Sequence, residues 1–132
     1  MPTVRLNPPG ISKPTGYSHV AIVPAGRQVH VAGQVAMNEA RQLVGRGDLA
    51  AQAEQVYTNV TAALVGAGAK IADVFKMVTY VVDLTSDKAA AVRAVRNRHF
   101  GDGPYPASTM VGVTSLVDPD LLIEVEVIAL LE

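Results

Sequence analysis

DLAAQAEQVYTNVTAALVGAGAKIADVFKMVTYVV, residues 48–82, carries the two periodicities that decide the fold. Its first half places Leu49, Ala53, Val56, Val60, Ala63, Leu64 and Ala67 at three- and four-residue spacing, which predicts an amphipathic helix with one face to bury. Asp48 stands before it as an N-cap, because a carboxylate accepts from the orphan N–H groups and favours the positive end of the helix dipole. Gly66 and Gly68 end it. Residues 74–82 then run rich in β-branched side chains without Gly or Pro, which predicts a well-buried strand.

Working outward towards the C-terminus, a second helix opens at Thr85 or Ser86 and closes before Gly101-Asp102-Gly103-Pro104, burying Ala91, Val92, Val95 and Phe100. Strands follow at 108–116 and 122–131, parted by the turn Asp118-Pro119-Asp120. Towards the N-terminus, β-type segments at 18–24 and 28–35 flank Pro24-Ala25-Gly26-Arg27 and read as a hairpin. In the second of them Val29, Val31, Gly33 and Val35 share one face, and Gln28, His30, Ala32 and Gln34 the other. Residues 1–16, punctuated by Pro8, Pro9, Gly10, Pro14 and Gly16, read as irregular, and 38–47 as a loop or short extra strand.

The order β-β-α-β-α-β-β predicts an α+β fold, one mixed sheet with both helices packed on one face, since each helix has one apolar stripe to bury. The opposite face then lacks a cover, although Ile128 and Leu130 on it are apolar. A second copy of the chain is expected to supply the cover.

The 132 residues suit one domain, 1–132, and 49% hydrophobic against 17% charged residues is a globular balance. A formal charge of −1, with 5% aromatics and no Trp, argues against nucleic acid and anionic membranes as partners. With no Cys there is no disulfide or thiolate metal site, and no stretch reads as a signal peptide or a membrane span. The expected location is the cytoplasm, with the chain complete as it stands.

Several local patterns read as coincidence. Gly45-x-Gly47-x-x-Ala50 has dinucleotide-like glycine spacing but no strand leading into it, Arg46-Gly47-Asp48 has its Asp occupied as a cap, and the sequon Asn59-Val60-Thr61 falls within a helix. His19, His30 and His99 lie on three elements without metal-ligand spacing, so neither metal nor cofactor is expected. Lys88, Arg96 and Arg98 read as a solvated face of the second helix, with Arg93 the exception considered below. Glu124 and Glu126 alternate with apolar residues and share the face of Ile128 and Leu130, where a covered carboxylate needs a hydrogen-bonding or catalytic reason to be present.

Gly16-Tyr17-Ser18, Gly33-Gln34, Gln52-x-x-Gln55-x-x-x-Asn59 with Leu64, Ala67-Gly68-Ala69 and Asp73-Val74-x-Lys76 occur in that order. They are followed by Asp83-Leu84, Pro106-Ala107 and Ile123-Glu124-Val125-Glu126-Val127-Ile128-Ala129. Over nearly its whole length the chain thus resembles the reactive-intermediate deaminase family, RidA/YjgF-like, also called L-PSP endoribonuclease-like. The resemblance implies a chorismate-mutase-like domain assembled as a homotrimer, with a cleft between each pair of subunits. It also implies hydrolysis of imines or enamines to carbonyl compounds and ammonia, with an Arg clamping the substrate carboxylate and a Glu handling the attacking water.

That Glu falls on Glu124, Tyr17 and Gly33 match lining positions, and the backbone around Thr109 and Met110 matches a water-placing segment. Three positions depart from the pattern: the clamping Arg is Ser108, a Ser is Ala32, and a second-helix Asn falls on Arg93. Two readings follow, a deaminase with an atypical pocket in which Arg93 replaces the lost cation, or a non-catalytic trimer that binds a small metabolite. Both expect Ser108 and Glu124 on one side of the sheet. An endoribonuclease fits poorly with the neutral charge and scarce aromatics.

Overall fold

The computed structural model describes residues 2–131. The elements are β1 (Val4–Leu6), β2 (Val20–Ile22), β3 (Arg27–Gln34), α1 (Leu49–Gly66), a 3₁₀ turn (Ile71–Asp73), β4 (Val74–Val82), α2 (Ser86–Phe100), β5 (Ala107–Val113) and β6 (Ile123–Leu131). Both helices begin where their capping residues predict. Asp48 accepts from the Ala51 N–H at 3.1 Å and Thr85 from the Lys88 N–H at 3.2 Å.

Four strands form the mixed sheet in the order β3-β6-β4-β5, with β4 and β5 parallel and the other pairings antiparallel. α1 and α2 lie on one face of it. Val56, Tyr57, Val60 and Leu64 from α1 and Val92, Val95 and Phe100 from α2 form one core with Met77 and Val81 of β4 and Ile123, Val125, Val127 and Ala129 of β6. This is the expected α+β architecture, with α2 burying Ala89 where Ala91 was expected and leaving Ala91 half-buried.

The N-terminal reading needs correction. The segment around β2 does not form a hairpin with β3; β2 pairs instead with Val4–Leu6, inside the stretch expected to be irregular, to make a separate two-stranded ribbon. Val4-Arg5-Leu6 precedes the proline-rich break and is long enough for three ladder partners. Arg5 anchors it by donating from Nη2 to the carbonyls of Ala72, at 3.2 Å, and Val74, at 2.8 Å. Leu130 also departs from expectation. It is buried to 4% exposure within the protomer, against Gly26 and beside a small cavity it shares with Pro2, Thr3 and Arg5, so it needs no second copy to cover it.

The motif Gln52-x-x-Gln55-x-x-x-Asn59 is structural. Fully buried Gln52 donates to the carbonyls of Gly45 and Asp120 and accepts from the Leu122 N–H. Gln55 donates to Asn59 at 2.8 Å, and Asn59 donates to the carbonyls of Val35 and Met37 at 3.0 and 2.8 Å. Together these amides fasten α1 to the chain leaving β3 and to the entry into β6.

Candidate functional site

Along β6 the residues alternate: Ile123, Val125, Val127 and Ala129 enter the core, and Glu124, Glu126 and Ile128 are half-buried on the face without helices. β4 presents Val78, Tyr80 and Val82 to that same face, with Tyr80 directly across from Glu124 and Val78 across from Glu126. The Tyr80 hydroxyl donates to Glu126 Oε1. This bond to Glu126, then desolvation and the nearby charges of Glu126 and Glu124, raises the Tyr80 pKa. Glu126 is thus a structural acceptor. Among the described residues, no side-chain hydrogen bond or ion pair takes up the Glu124 carboxylate.

Gly33 explains how Glu124 is held. The ladder between β3 and β6 slips by one residue between Val31 and Gln34, so Ala32 and Gly33 lie in a β-bulge. The strict alternation expected for 28–35 breaks there, moving Gly33 from the face of Val31 to the face of Glu124. A Cβ on Gly33 would stand 2.2 Å from Glu124 Oε2 and 2.7 Å from Cδ. The carboxylate therefore occupies the space that any side chain at 33 would need.

The expectation that Ser108 and Glu124 share a side fails. Ser108 pairs in register with Met77, and Met110 with Thr79, both core residues of β4, which puts Ser108 and Met110 on the helix side. Met110 packs against the core there. Thr109 and Val111, in register with Val78 and Tyr80, are among the β5 residues that point to the face of Glu124. Within one protomer, residue 108 and Glu124 are separated by the sheet itself.

Tyr17 is half-buried and meets the His19 ring edge-on at 5.3 Å between centroids, and Ala32 is exposed beside Gly33 in the bulge. Ser18 docks this segment on the start of β5, its N–H donating to the Pro106 carbonyl at 2.9 Å and its hydroxyl to the Tyr105 carbonyl at 2.8 Å.

Arg93 is exposed, two turns along α2 from Thr85 and Ser86, in an open groove with Leu84 and Ala89. Arg98 pairs with Glu54 at 2.9 Å, and His99 hydrogen-bonds the same carboxylate at 2.8 Å, tying α2 to α1.

The sequence reading of Arg96 as solvated is wrong. It is 5% exposed, the one charged side chain buried among the described residues. The sequence carries the signal for this: Val92, Arg96 and Phe100 are spaced four apart, inside the apolar stripe of α2.

A mixed sheet with two helices on one face, and on the other a carboxylate seated in a strand bulge, defines a chorismate-mutase-like α+β domain. The chain belongs to the family whose model is described as Endoribonuclease L-PSP, the YjgF/RidA family, which it matches over residues 10–131. A RutC family protein of Pyrococcus abyssi is 36% identical over 118 residues, 89% of this chain and 88% of that one. The 2-iminobutanoate/2-iminopropanoate deaminase of Escherichia coli K12 is 34% identical over 113 residues, 84% of this chain and 85% of that one. Among solved structures, the Rid-family protein YyfB of Yersinia pestis superposes with a TM-score of 0.91 at 39% identity, covering 99% of this chain and 100% of that one. Escherichia coli TdcF with bound serine gives a TM-score of 0.73 at 27% identity, covering 97% and 94%. No described helix is long and apolar enough to cross a membrane.

Proposed function

We propose that the protein hydrolyses a small reactive imine or enamine to a carbonyl compound and ammonia, in clefts between the copies of a homotrimer, with Glu124 as the acid–base residue and without an Arg at position 108. The observation that carries this reading is the Glu124 carboxylate, lying over Gly33 on the helix-free face with no hydrogen-bond or ion-pair partner among the described residues. Imine hydrolysis needs such a group. A carboxylate takes a proton from water as the oxygen attacks the C=N carbon and passes it to nitrogen, giving the carbinolamine. It then takes the hydroxyl proton and delivers that to nitrogen as the C=O bond forms, the C–N bond breaks and ammonia leaves. Related proteins named as iminobutanoate and iminopropanoate deaminases support the same chemistry.

The sheet supports the trimer. Its edges are β3 and β5, and the Gly33–Glu124 bulge lies at the β3 edge. Closing three sheets into a ring sets β3 of one copy beside β5 of the next, which brings residues 107–110 of that copy to the Glu124 they cannot reach within one chain. Light scattering at micromolar concentration is expected to give three chains per particle; a stable monomer sinks the cleft.

The second reading, a non-catalytic trimer that binds a small metabolite, is favoured by Ser108, whose hydroxyl cannot form the bidentate ion pair of a guanidinium. Generating 2-iminobutanoate in situ and following its loss separates the two. Acceleration by the wild type that vanishes in Glu124→Gln supports hydrolysis, and an unaccelerated loss with tight binding of the product 2-oxo acid supports the binder.

A further inference from the structure

Arg96 carries an unneutralised charge. Its hydrogen bonds run from Nε to Asn97 Oδ1 at 3.3 Å, from Nη2 to the same oxygen at 3.3 Å and from Nη2 to the Thr15 carbonyl at 3.4 Å. All three are long against the ~2.9–3.0 Å usual for N–H···O, and both acceptors are neutral. The ion pairs among the described residues join Arg46 to Asp120 and Arg98 and His99 to Glu54, and none reaches Arg96. Burial lowers its pKa, opposed by Tyr57 and Tyr105 nearby and reinforced by Arg93. A guanidinium so placed costs the fold free energy unless a counter-ion arrives.

The third nitrogen remains available. Among the described residues Nη1 makes no hydrogen bond, yet the one fully enclosed side-chain nitrogen or oxygen without a partner there is Arg5 Nε. Nη1 is therefore not sealed off as Arg5 Nε is. The surroundings point the same way. Gly16, at φ +75°, carries the backbone across the guanidinium so closely that a Cβ there would lie 2.5 Å from Nη2. The next residues are Tyr17 and Ser18, and Ser18 is bridged to Ala107 at the start of edge strand β5. Arg96 thus sits on the helix side of the sheet, under the segment that adjoins Ser108.

We infer that Arg96, rather than Arg93, is the cation that receives a small carboxylate ligand, entering beside Tyr17 and the β5 edge to pair with the guanidinium fork. In naming that ligand as the carboxylate of the imine substrate and its 2-oxo product, the inference rests on the proposed function. The planar fork and the lack of an acidic partner among the described residues suit a carboxylate, and the helix-side position goes with the copy that lends β5 to the cleft.

The test is calorimetric titration of the full-length protein with 2-oxobutanoate and with its uncharged amide, run beside thermal unfolding. Wild type should bind the acid and not the amide. Arg96→Met should weaken acid binding about tenfold to a hundredfold, the worth of a charge-assisted pair, while its Tm stays level or rises, because an apolar side chain replaces an uncompensated buried charge. A purely structural arginine predicts the reverse, a lower Tm with affinity unchanged.

Arg96→Lys keeps the charge without the fork and should fall between, and it decides the matter if Arg96→Met does not fold. Arg46→Gln, which removes a surface pair, should bind as wild type does. Equal affinity in wild type, Arg96→Met and Arg96→Lys, loss on Arg93→Gln instead, or no acid binding by wild type overturns the inference. Imine hydrolysis measured on the same samples separates the two proposals. Hydrolysis that needs Glu124 but ignores Arg96 leaves the function standing without this site, and acid binding through Arg96 without hydrolysis leaves the site standing without the function.

Discussion

Gln52→Met is expected to destabilise the protein by about 3 kcal/mol or more, with Gln52→Ala costing about 1–2 kcal/mol beyond that for the cavity it leaves. Gln52 is fully buried and makes three hydrogen bonds, to the Gly45 carbonyl at 3.2 Å, the Asp120 carbonyl at 2.9 Å and from the Leu122 N–H at 2.8 Å. Methionine conserves volume, so its effect isolates those bonds. The Leu122 N–H is the costliest group to abandon, because the Gly45 carbonyl still accepts from the Asp48 N–H at 2.9 Å. Gln55→Ala removes a single half-buried bond, to Asn59 on the same helix, and should cost less than about 1 kcal/mol. Denaturant unfolding of the three variants checks the ranking. A Gln52→Met loss below that of Gln55→Ala would show that the loops it joins are held by something else.

The helices and β4 were legible because their signals are local. Asp48 and Thr85 are caps whose chemistry is complete within four residues, and β4 is an unbroken β-branched run. The N-terminal ribbon was not legible for the opposite reason. Val4–Leu6 is too short to announce itself, and what holds it is Arg5 reaching carbonyls 67 and 69 residues away. Alternation with apolar neighbours marked Glu124 and Glu126 alike, and only the resemblance to the deaminase family picked out Glu124.

What fixes Glu124 in place, the one-residue slip at Ala32–Gly33, depends on register with β6 and appears in no local pattern. The same limit explains Ser108. Its side of the sheet is set by a parallel pairing with Met77, which a reading of β5 alone cannot supply. Arg96 was the avoidable miss, since its spacing with Val92 and Phe100 already put a cation within an apolar stripe. A charged residue on that stripe needs an explanation, whereas the exposed Arg93 does not.

The largest effect on activity should come from Glu124, and Gly33 gives a way to separate its chemistry from its placement. Glu124→Gln keeps the shape and removes the base, so imine hydrolysis should fall by about 10²- to 10⁴-fold, the range general acid–base groups contribute. Gly33→Ala leaves every titratable group in place but puts a Cβ where Oε2, Cδ and Cγ of Glu124 now lie, at 2.2, 2.7 and 2.9 Å. Those atoms belong to the far part of a flexible side chain, and Gly33 does not hold a positive φ, so the backbone has no need of glycine there. Glu124 can swing aside at little cost to the fold, and the change in stability should stay within about 1 kcal/mol. The carboxylate, however, is then displaced from the bulge, and hydrolysis should drop at least about tenfold, since small misplacements of a catalytic group are expensive. Because both substitutions act through one carboxylate, they should not add: the double variant Gly33→Ala/Glu124→Gln should hydrolyse the imine no more slowly than Glu124→Gln alone. Full activity in Gly33→Ala would mean that the seat over the bulge is not the working position of Glu124, and additive losses would mean that Gly33 serves the reaction through a contact of its own.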